Sequence, residues 1–176
     1  MIRLGYIPVL AALGLLTGVL AGSAPEFSQV DQFAGRYVLI RDQSEDLRQA
    51  IDRATETMSF FVRPIARRQL RQKTVLYSSF AMRRSGEFFC ITLAGEPVLS
   101  LPLSGSVVVW KAPDGEIVRV RLVLGPELEQ VFEAKQGRRE NRFTLSPNGA
   151  VLTMDVRITS NELPKPVECR LVYRRV

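Results

Sequence analysis

Residues 116–160 read EIVRVRLVLGPELEQVFEAKQGRRENRFTLSPNGAVLTMDVRITS. Apolar and polar residues alternate with period two between three turn signals, Gly125-Pro126, Gln136-Gly137 and Asn148-Gly149, which is the pattern of consecutive hairpins. A two-residue turn at Asn148-Gly149 pairs Leu145 with Leu152, Phe143 with Met154 and Asn141 with Val156. The opposite face then pairs Arg142 with Asp155 and Glu140 with Arg157, and opposite charges facing each other favour that register. A two-residue turn at Gln136-Gly137 pairs Phe132 with Asn141, Gln130 with Phe143 and Leu128 with Leu145. Three-residue loops at Gly125-Pro126 and at a fourth signal, Pro113-Asp114-Gly115, place Leu124 opposite Leu128, Leu122 opposite Gln130, Val120 opposite Phe132, and Val118 opposite Trp110 and Ala134. One face thus stays apolar, while the other carries Arg119, Arg121, Glu129, Glu133, Glu140, Arg142, Asp155 and Arg157. A one-residue slip would exchange the faces.

The same alternation extends in both directions. It predicts about ten antiparallel strands, at 35–41, 74–82, 87–93, 97–101, 106–112, 116–124, 128–135, 138–146, 150–160 and 167–175. A meander with one apolar face closes on itself to bury that face and remove its edges, so the expected fold is mainly β, an up-and-down antiparallel barrel. Between the first two strands the period changes. Ser44 reads as an N-cap followed by Glu45 and Asp46, and Leu47, Ile51, Ala54 and Met58 fall on one helical face. A second helix is predicted from Arg63-Pro64 to about Arg71. No repeat or linker interrupts the segment, which predicts one domain over 24–176.

The 176 residues are 46% hydrophobic, enough for one domain with a core. The chain has no histidine, which removes serine–histidine and cysteine–histidine pairs, histidine bases and histidine metal sites. No metal-loop spacing links the aspartates, so no metal or other cofactor is expected. The formal charge of +6 favours anionic surfaces, but no nucleic-acid-binding motif accompanies it. Cys90 and Cys169 permit a disulfide, although the third and last strands that carry them are separated in a closed barrel.

The N-terminus has its own logic. Arg3 is followed by an uncharged stretch to Pro25 with an apolar centre at 7–21, then by Ala21-Gly22-Ser23. Small residues at the cleavage positions before Ala24 make residues 1–23 a predicted signal peptide, and hence an exported protein. The alternative is an uncleaved N-terminal anchor, for which the apolar run is barely long enough.

The order of elements resembles the calycins, and within them the fatty-acid-binding proteins. Phe33-Ala34-Gly35-Arg36-Tyr37 resembles that family's opening motif, Ser44-Glu45-Asp46-Leu47 its helix start, and the segment from Cys169 to Val176 its last strand. The resemblance implies a barrel with a helical lid and a lipid-sized interior. It also implies a carboxylate clamp of two arginines and a tyrosine, but those positions fall on Thr144, Leu171 and Tyr173, so the arginines are missing.

The candidate lining is Trp110, Val120, Leu122, Gln130, Phe132, Asn141, Phe143, Met154, Val156, Leu171 and Tyr173. Its amides and its tyrosine suit a small apolar ligand with a neutral head group; Arg139, near a strand end, is the one inner arginine. Arg63, Arg67 and Arg71 share one face of the second helix and are candidates for contact with an anionic membrane. The expected function is a monomeric, non-enzymatic, exported barrel that binds an apolar ligand. The alternative is a barrel with a filled core that acts as a structural or interaction module, and an enzyme using tyrosine or carboxylates comes third. Exported material is expected to begin near Ala24, and N-terminal sequencing that finds Met1 there would overturn the cleavage.

Overall fold

The computed structural model describes residues 29–74, 76–93, 98–111 and 115–176; the leader, the cut before Ala24 and the turn residues Pro113 and Asp114 lie outside the described residues. The strands are β1 (Gly35–Leu39), β2 (Ser79–Ser85), β3 (Phe88–Leu93), β4 (Leu99–Pro102), β5 (Val108–Lys111), β6 (Ile117–Leu124), β7 (Leu128–Glu133), β8 (Gly137–Leu145), β9 (Val151–Ser160) and β10 (Val167–Arg175). A 3-10 turn (Arg41–Gln43) and two helices, α1 (Leu47–Ala54) and α2 (Arg63–Lys73), stand between β1 and β2. The strands form one 10-stranded sheet in the order β4-β3-β2-β1-β10-β9-β8-β7-β6-β5. Because β1 pairs with β10, the sheet curls into a nearly closed antiparallel barrel whose seam lies between β4 and β5.

Most registers follow the alternation. Leu145–Leu152, Phe143–Met154, Arg142–Asp155 and Glu140–Arg157 are partners across β8 and β9. Arg119–Glu133, Val120–Phe132, Leu122–Gln130 and Leu124–Leu128 are partners across β6 and β7, and Trp110 faces Val118 across β5 and β6. The β7–β8 hairpin differs. Leu128 pairs with Phe143, Gln130 with Asn141 and Phe132 with Arg139, two residues away from the expected register. The turn is at Lys135-Gln136, where the Ala134 amide donates to the Gly137 carbonyl at 2.9 Å. Gly137 is a strand residue pressed against β9: a Cβ there would lie 2.6 Å from the Thr159 carbonyl oxygen. Close backbone approach, not turn geometry, is what requires glycine at this position. A shift of two keeps every side chain on its face, which is why the apolar pattern does not expose it.

The inner face forms rows around the wall. One row runs Val167, Ile158, Arg139, Phe132, Val120; the next runs Cys169, Val156, Asn141, Gln130, Leu122; a third runs Leu171, Met154, Phe143, Leu128, Leu124. Tyr37, Phe89, Leu101, Leu152 and Tyr173 are fully buried, each burial stabilising by about 1.5–3 kcal/mol. Phe80 ties the interior together, its ring 4.8 Å from Tyr173, 5.4 Å from Tyr37 and 6.4 Å from Phe143.

Each barrel end is covered differently. Buried Val30 and Phe33 plug the end where β10 finishes, tied by Asp31 to Arg84 on β2. The helices sit at the other end, α1 packing Ala50, Ile51 and Ala54 against the start of β10. Here three local expectations are corrected. Asp46, not Ser44, is the N-cap, accepting from the Arg48 amide at 2.8 Å, because the Ser44 hydroxyl is taken by Ile40 and Val172. The helix stops at Ala54, before Met58, with Thr55 returning its hydroxyl to the Ile51 carbonyl at 2.8 Å. α2 continues to Lys73, so the chain enters β2 at Ser79 rather than at 74.

Candidate functional site

The expected lining residues all reach the interior. Val120, Leu122, Gln130, Asn141, Phe143, Met154, Val156, Leu171 and Tyr173 are buried, while Trp110 and Phe132 are half-buried and stack edge-to-face at 6.4 Å. Arg139 and Ile158 extend this half-buried patch on β8 and β9, at the end of the barrel that the helices cover. Arg139 itself is half-buried at this end.

The interior polar groups are linked. Arg139 Nε donates to Asn141 Oδ1 at 2.9 Å, and Asn141 Nδ2 donates to Gln130 Oε1 at 3.0 Å. The two amides therefore satisfy each other, and the guanidinium turns inward along the strand. Burial lowers the Arg139 pKa from its ordinary value, with Tyr77, Tyr173 and Cys169 opposing that shift. The Tyr173 hydroxyl donates to the Tyr77 carbonyl at 3.2 Å, and burial pushes its pKa upward. Arginine remains charged even when desolvated. The inner face thus carries the one arginine that the alternation places there. The expected register sets Arg139 opposite Ala134; the observed one places it opposite Phe132. The inward period is legible in the sequence, but its depth depends on the turn.

Arg63, Arg67 and Arg71 do not form a free face. Arg63 donates to the Met58 carbonyl at 2.8 Å, Arg67 Nε lies 3.0 Å from Asp52 Oδ1, and Arg71 Nη2 lies 2.9 Å from the same oxygen. Arg67 and Arg71 fasten α2 to α1, and Arg63 holds the connecting segment, while all three line the cleft beside Phe60 and Phe61. Just before α2, Phe60 and Phe61 are 79% and 82% exposed, while the helix itself exposes Arg68, Gln69, Arg71 and Gln72. Phe60 and Phe61 flank a cleft of ≈ 770 Å³ with Arg68 and Pro64. A second cleft of ≈ 760 Å³ lies between α1 and β8–β10 and is lined by charged groups such as Glu45, Arg53, Asp155 and Lys165. The first cleft lies outside the lumen; the second also touches Val156 and Cys169 of an inner row. The buried cysteines are free: Cys90 contacts Ser100 on the outer side, and Cys169 donates to the Glu45 carbonyl from within.

No protein-family model and no curated protein matches the sequence. Solved structures do match it. A "secretary abundant heat soluble (SAHS) protein" from Ramazzottius varieornatus superposes with a TM-score of 0.58 at 10% identity, covering 83% of this chain and 96% of that one. A mutant of the fluorescent protein UnaG gives 0.51 at 14% identity, covering 84% and 98%. A Schistosoma mansoni fatty acid binding protein in complex with arachidonic acid gives 0.50 at 14% identity, covering 84% and 98%. The fold is that of the calycins. The barrel has a helical insertion after β1, and the positions to which the resemblance assigns the clamp arginines hold an exposed Thr144 and an apolar Leu171.

Cys169 offers a check on how tightly this interior is closed. Burial, assisted by Glu45 and opposed by Arg53, raises its thiol from 9.0 to about 11. The folded protein therefore holds this proton to higher pH than the unfolded chain. Its stabilising contribution is intact below about pH 9 and is lost as pH rises to about 11. Urea titrations are expected to show stability falling across that window, with a shallower fall in Cys169→Ala. The same slope in both proteins would show that the thiol is not responsible.

Proposed function

We propose that this chain is an exported calycin that binds or carries one small apolar ligand, entering from the helix-covered end of the barrel. The observation that carries the reading is the half-buried inner patch of Trp110, Phe132, Arg139 and Ile158, at the helix-covered end above rows of buried side chains. An apolar wall with a few convergent polar groups is the usual form of a small-molecule site. The fatty-acid-binding neighbour holds arachidonic acid within the same fold. No convergent nucleophile and base are built into this patch, so binding rather than catalysis is the reading adopted.

The filled-core alternative also has an observation in its favour, since most side chains of the inner rows are buried against one another. Titration with an environment-sensitive apolar fluorophore separates the two. A carrier gives saturable one-to-one enhancement that hexadecanol or hexadecanoate reverses, and Ile158→Trp, which fills the patch, weakens it by at least about tenfold. A filled core gives no saturable signal.

We also propose that loading occurs at an anionic membrane. Phe60 and Phe61 are exposed and meet edge-to-face at 5.6 Å, Ile65 is 59% exposed, and α2 (RPIARRQLRQK) carries no acidic residue. Arg68 is exposed beside them. Such an apolar tip with adjacent cations suits the headgroup boundary better than water. Co-sedimentation with phosphatidylserine-containing vesicles is expected to fall at least about tenfold in the double variant Phe60→Ser, Phe61→Ser. Unchanged sedimentation would remove the membrane from this account.

A further inference from the structure

We propose that the outer wall made by β10, β1 and β2 docks an extended anionic polysaccharide along a line of three arginines, Arg174, Arg36 and Arg83. The strand registers put these residues on one diagonal. Arg174 lies opposite Val38, two residues along β1 from Arg36. Ala81 lies opposite Arg36, and Arg83 is two residues along β2 from Ala81, on the side away from Arg174. Each step crosses one strand and two residues, about 8 Å. Phe88, 45% exposed, takes the next point of the line on β3, two residues from Cys90, which is the partner of Arg83. All three arginines are exposed, and the outward residues beside them are the half-buried Val38, Val172, Ala81 and Ser79.

The charge on this strip is unmatched. β1 to β4 (GRYVL, SFAMRRS, FFCITL and LSLP) contain no acidic residue. Among the described residues none of the three arginines forms an ion pair, and that includes the carboxylate of Val176. Of the carboxylates near by, Asp31 is taken by Arg84, and Glu87 stands in the turn between β2 and β3. Further round the wall the outer arginines are matched: Arg138 meets Glu140 at 2.7 Å, Arg142 meets Glu127 at 3.1 Å and Arg157 meets Glu168 at 3.6 Å. Exposed guanidinium groups bind oxyanions through paired N–H donors, and cations set in a row favour a ligand whose charges also run in a row. A single-stranded nucleic acid would need aromatic platforms between the cations, where this strip has aliphatic and small residues. A membrane seated on Phe60 and Phe61 would not reach it, because the strip lies toward the plugged end, where Arg84 holds Asp31. A sugar chain needs no ring at every unit: one apolar ring face lies on Phe88 while the anionic groups meet the arginines.

The test is fluorescence anisotropy of labelled heparin oligosaccharide titrated with the full chain at low ionic strength, beside labelled oligo-dT of equal charge and neutral dextran. Heparin is expected to bind saturably, at least about tenfold more tightly than oligo-dT, and more weakly as salt is added; dextran is expected not to bind. The triple variant Arg36→Gln, Arg83→Gln, Arg174→Gln should weaken heparin binding at least about tenfold. The control variant Arg138→Gln, Arg142→Gln, Arg157→Gln removes the same formal charge from the matched part of the wall and should stay within about twofold of the unaltered protein. Equal weakening in the two variants would show that net charge, not the strip, attracts the ligand, and would overturn the proposal. So would absence of heparin binding, and oligo-dT binding as tightly as heparin would overturn the polysaccharide class. Loss of phosphatidylserine-vesicle binding in the first triple variant, with heparin binding intact, would give the strip to the membrane instead. If that variant does not fold, Arg36→Gln, at the centre of the line, is expected to weaken heparin binding about threefold, and no change there would overturn the strip.

Discussion

Closure of the sheet depends on a short ladder between β1 and β10, in which Tyr37, Val38 and Leu39 meet Arg175, Arg174 and Tyr173. Without it, β1 and β10 would both become unpaired edges. Tyr37 concentrates the constraint. Its ring is fully buried against Phe80, its hydroxyl donates to the Phe33 carbonyl at 2.8 Å, and it accepts from Arg175 Nη2 at 2.8 Å. One side chain therefore joins the sheet closure, the core and the plug at one barrel end. The loop that this contact closes spans most of the described chain, but closure entropy rises only slowly with loop length. Burial of the inner rows can offset it.

The same ladder explains where the helices go. β1 is too short to satisfy all of β10, and the segment after it takes over. The Ser44 hydroxyl accepts from the Val172 amide at 2.9 Å, and Glu45 bonds the Arg170 amide and carbonyl, both at 2.8 Å. Backbone groups of β10 left without a strand partner are thereby paired, and α1 is delivered onto the rim. Asp52 then receives Arg67 and Arg71, which sets α2 beside α1 and leaves Phe60 and Phe61 pointing away from the barrel. The position of the apolar tip follows from chain geometry and one carboxylate.

Much of this is legible in the sequence because it rests on alternation. The strands, their order, the inner face and the helix pair follow from a period of two broken once by a helical period. Asn148-Gly149 reads correctly because Gly149 does take a left-handed conformation, φ +67. Gly137 misleads because a glycine needed for close approach to Thr159 looks the same in a sequence as a glycine needed for a turn. That single ambiguity also conceals the depth of Arg139. The arginine face of α2 is only half legible: periodicity shows that Arg63, Arg67 and Arg71 share a face, but not that Arg67 and Arg71 meet Asp52. Ser44 and Asp46 are both good caps, and only contact with Val172 decides between them. In each case local pattern specifies the element, and a long-range contact specifies what its side chains do.

The seam between β4 and β5 has a mechanical meaning. Both strands run for only four residues, Leu99–Pro102 and Val108–Lys111, and no ladder joins them. Side-chain packing, including that of β4 near β6, holds the two margins together. The wall is therefore a split ring rather than a hoop. Its girth is not locked by a continuous circuit of backbone hydrogen bonds, so it can spread by sliding apolar contacts at one slit while every existing ladder stays intact. A tube built this way yields at a known place, and its stiffness is lowest along that slit.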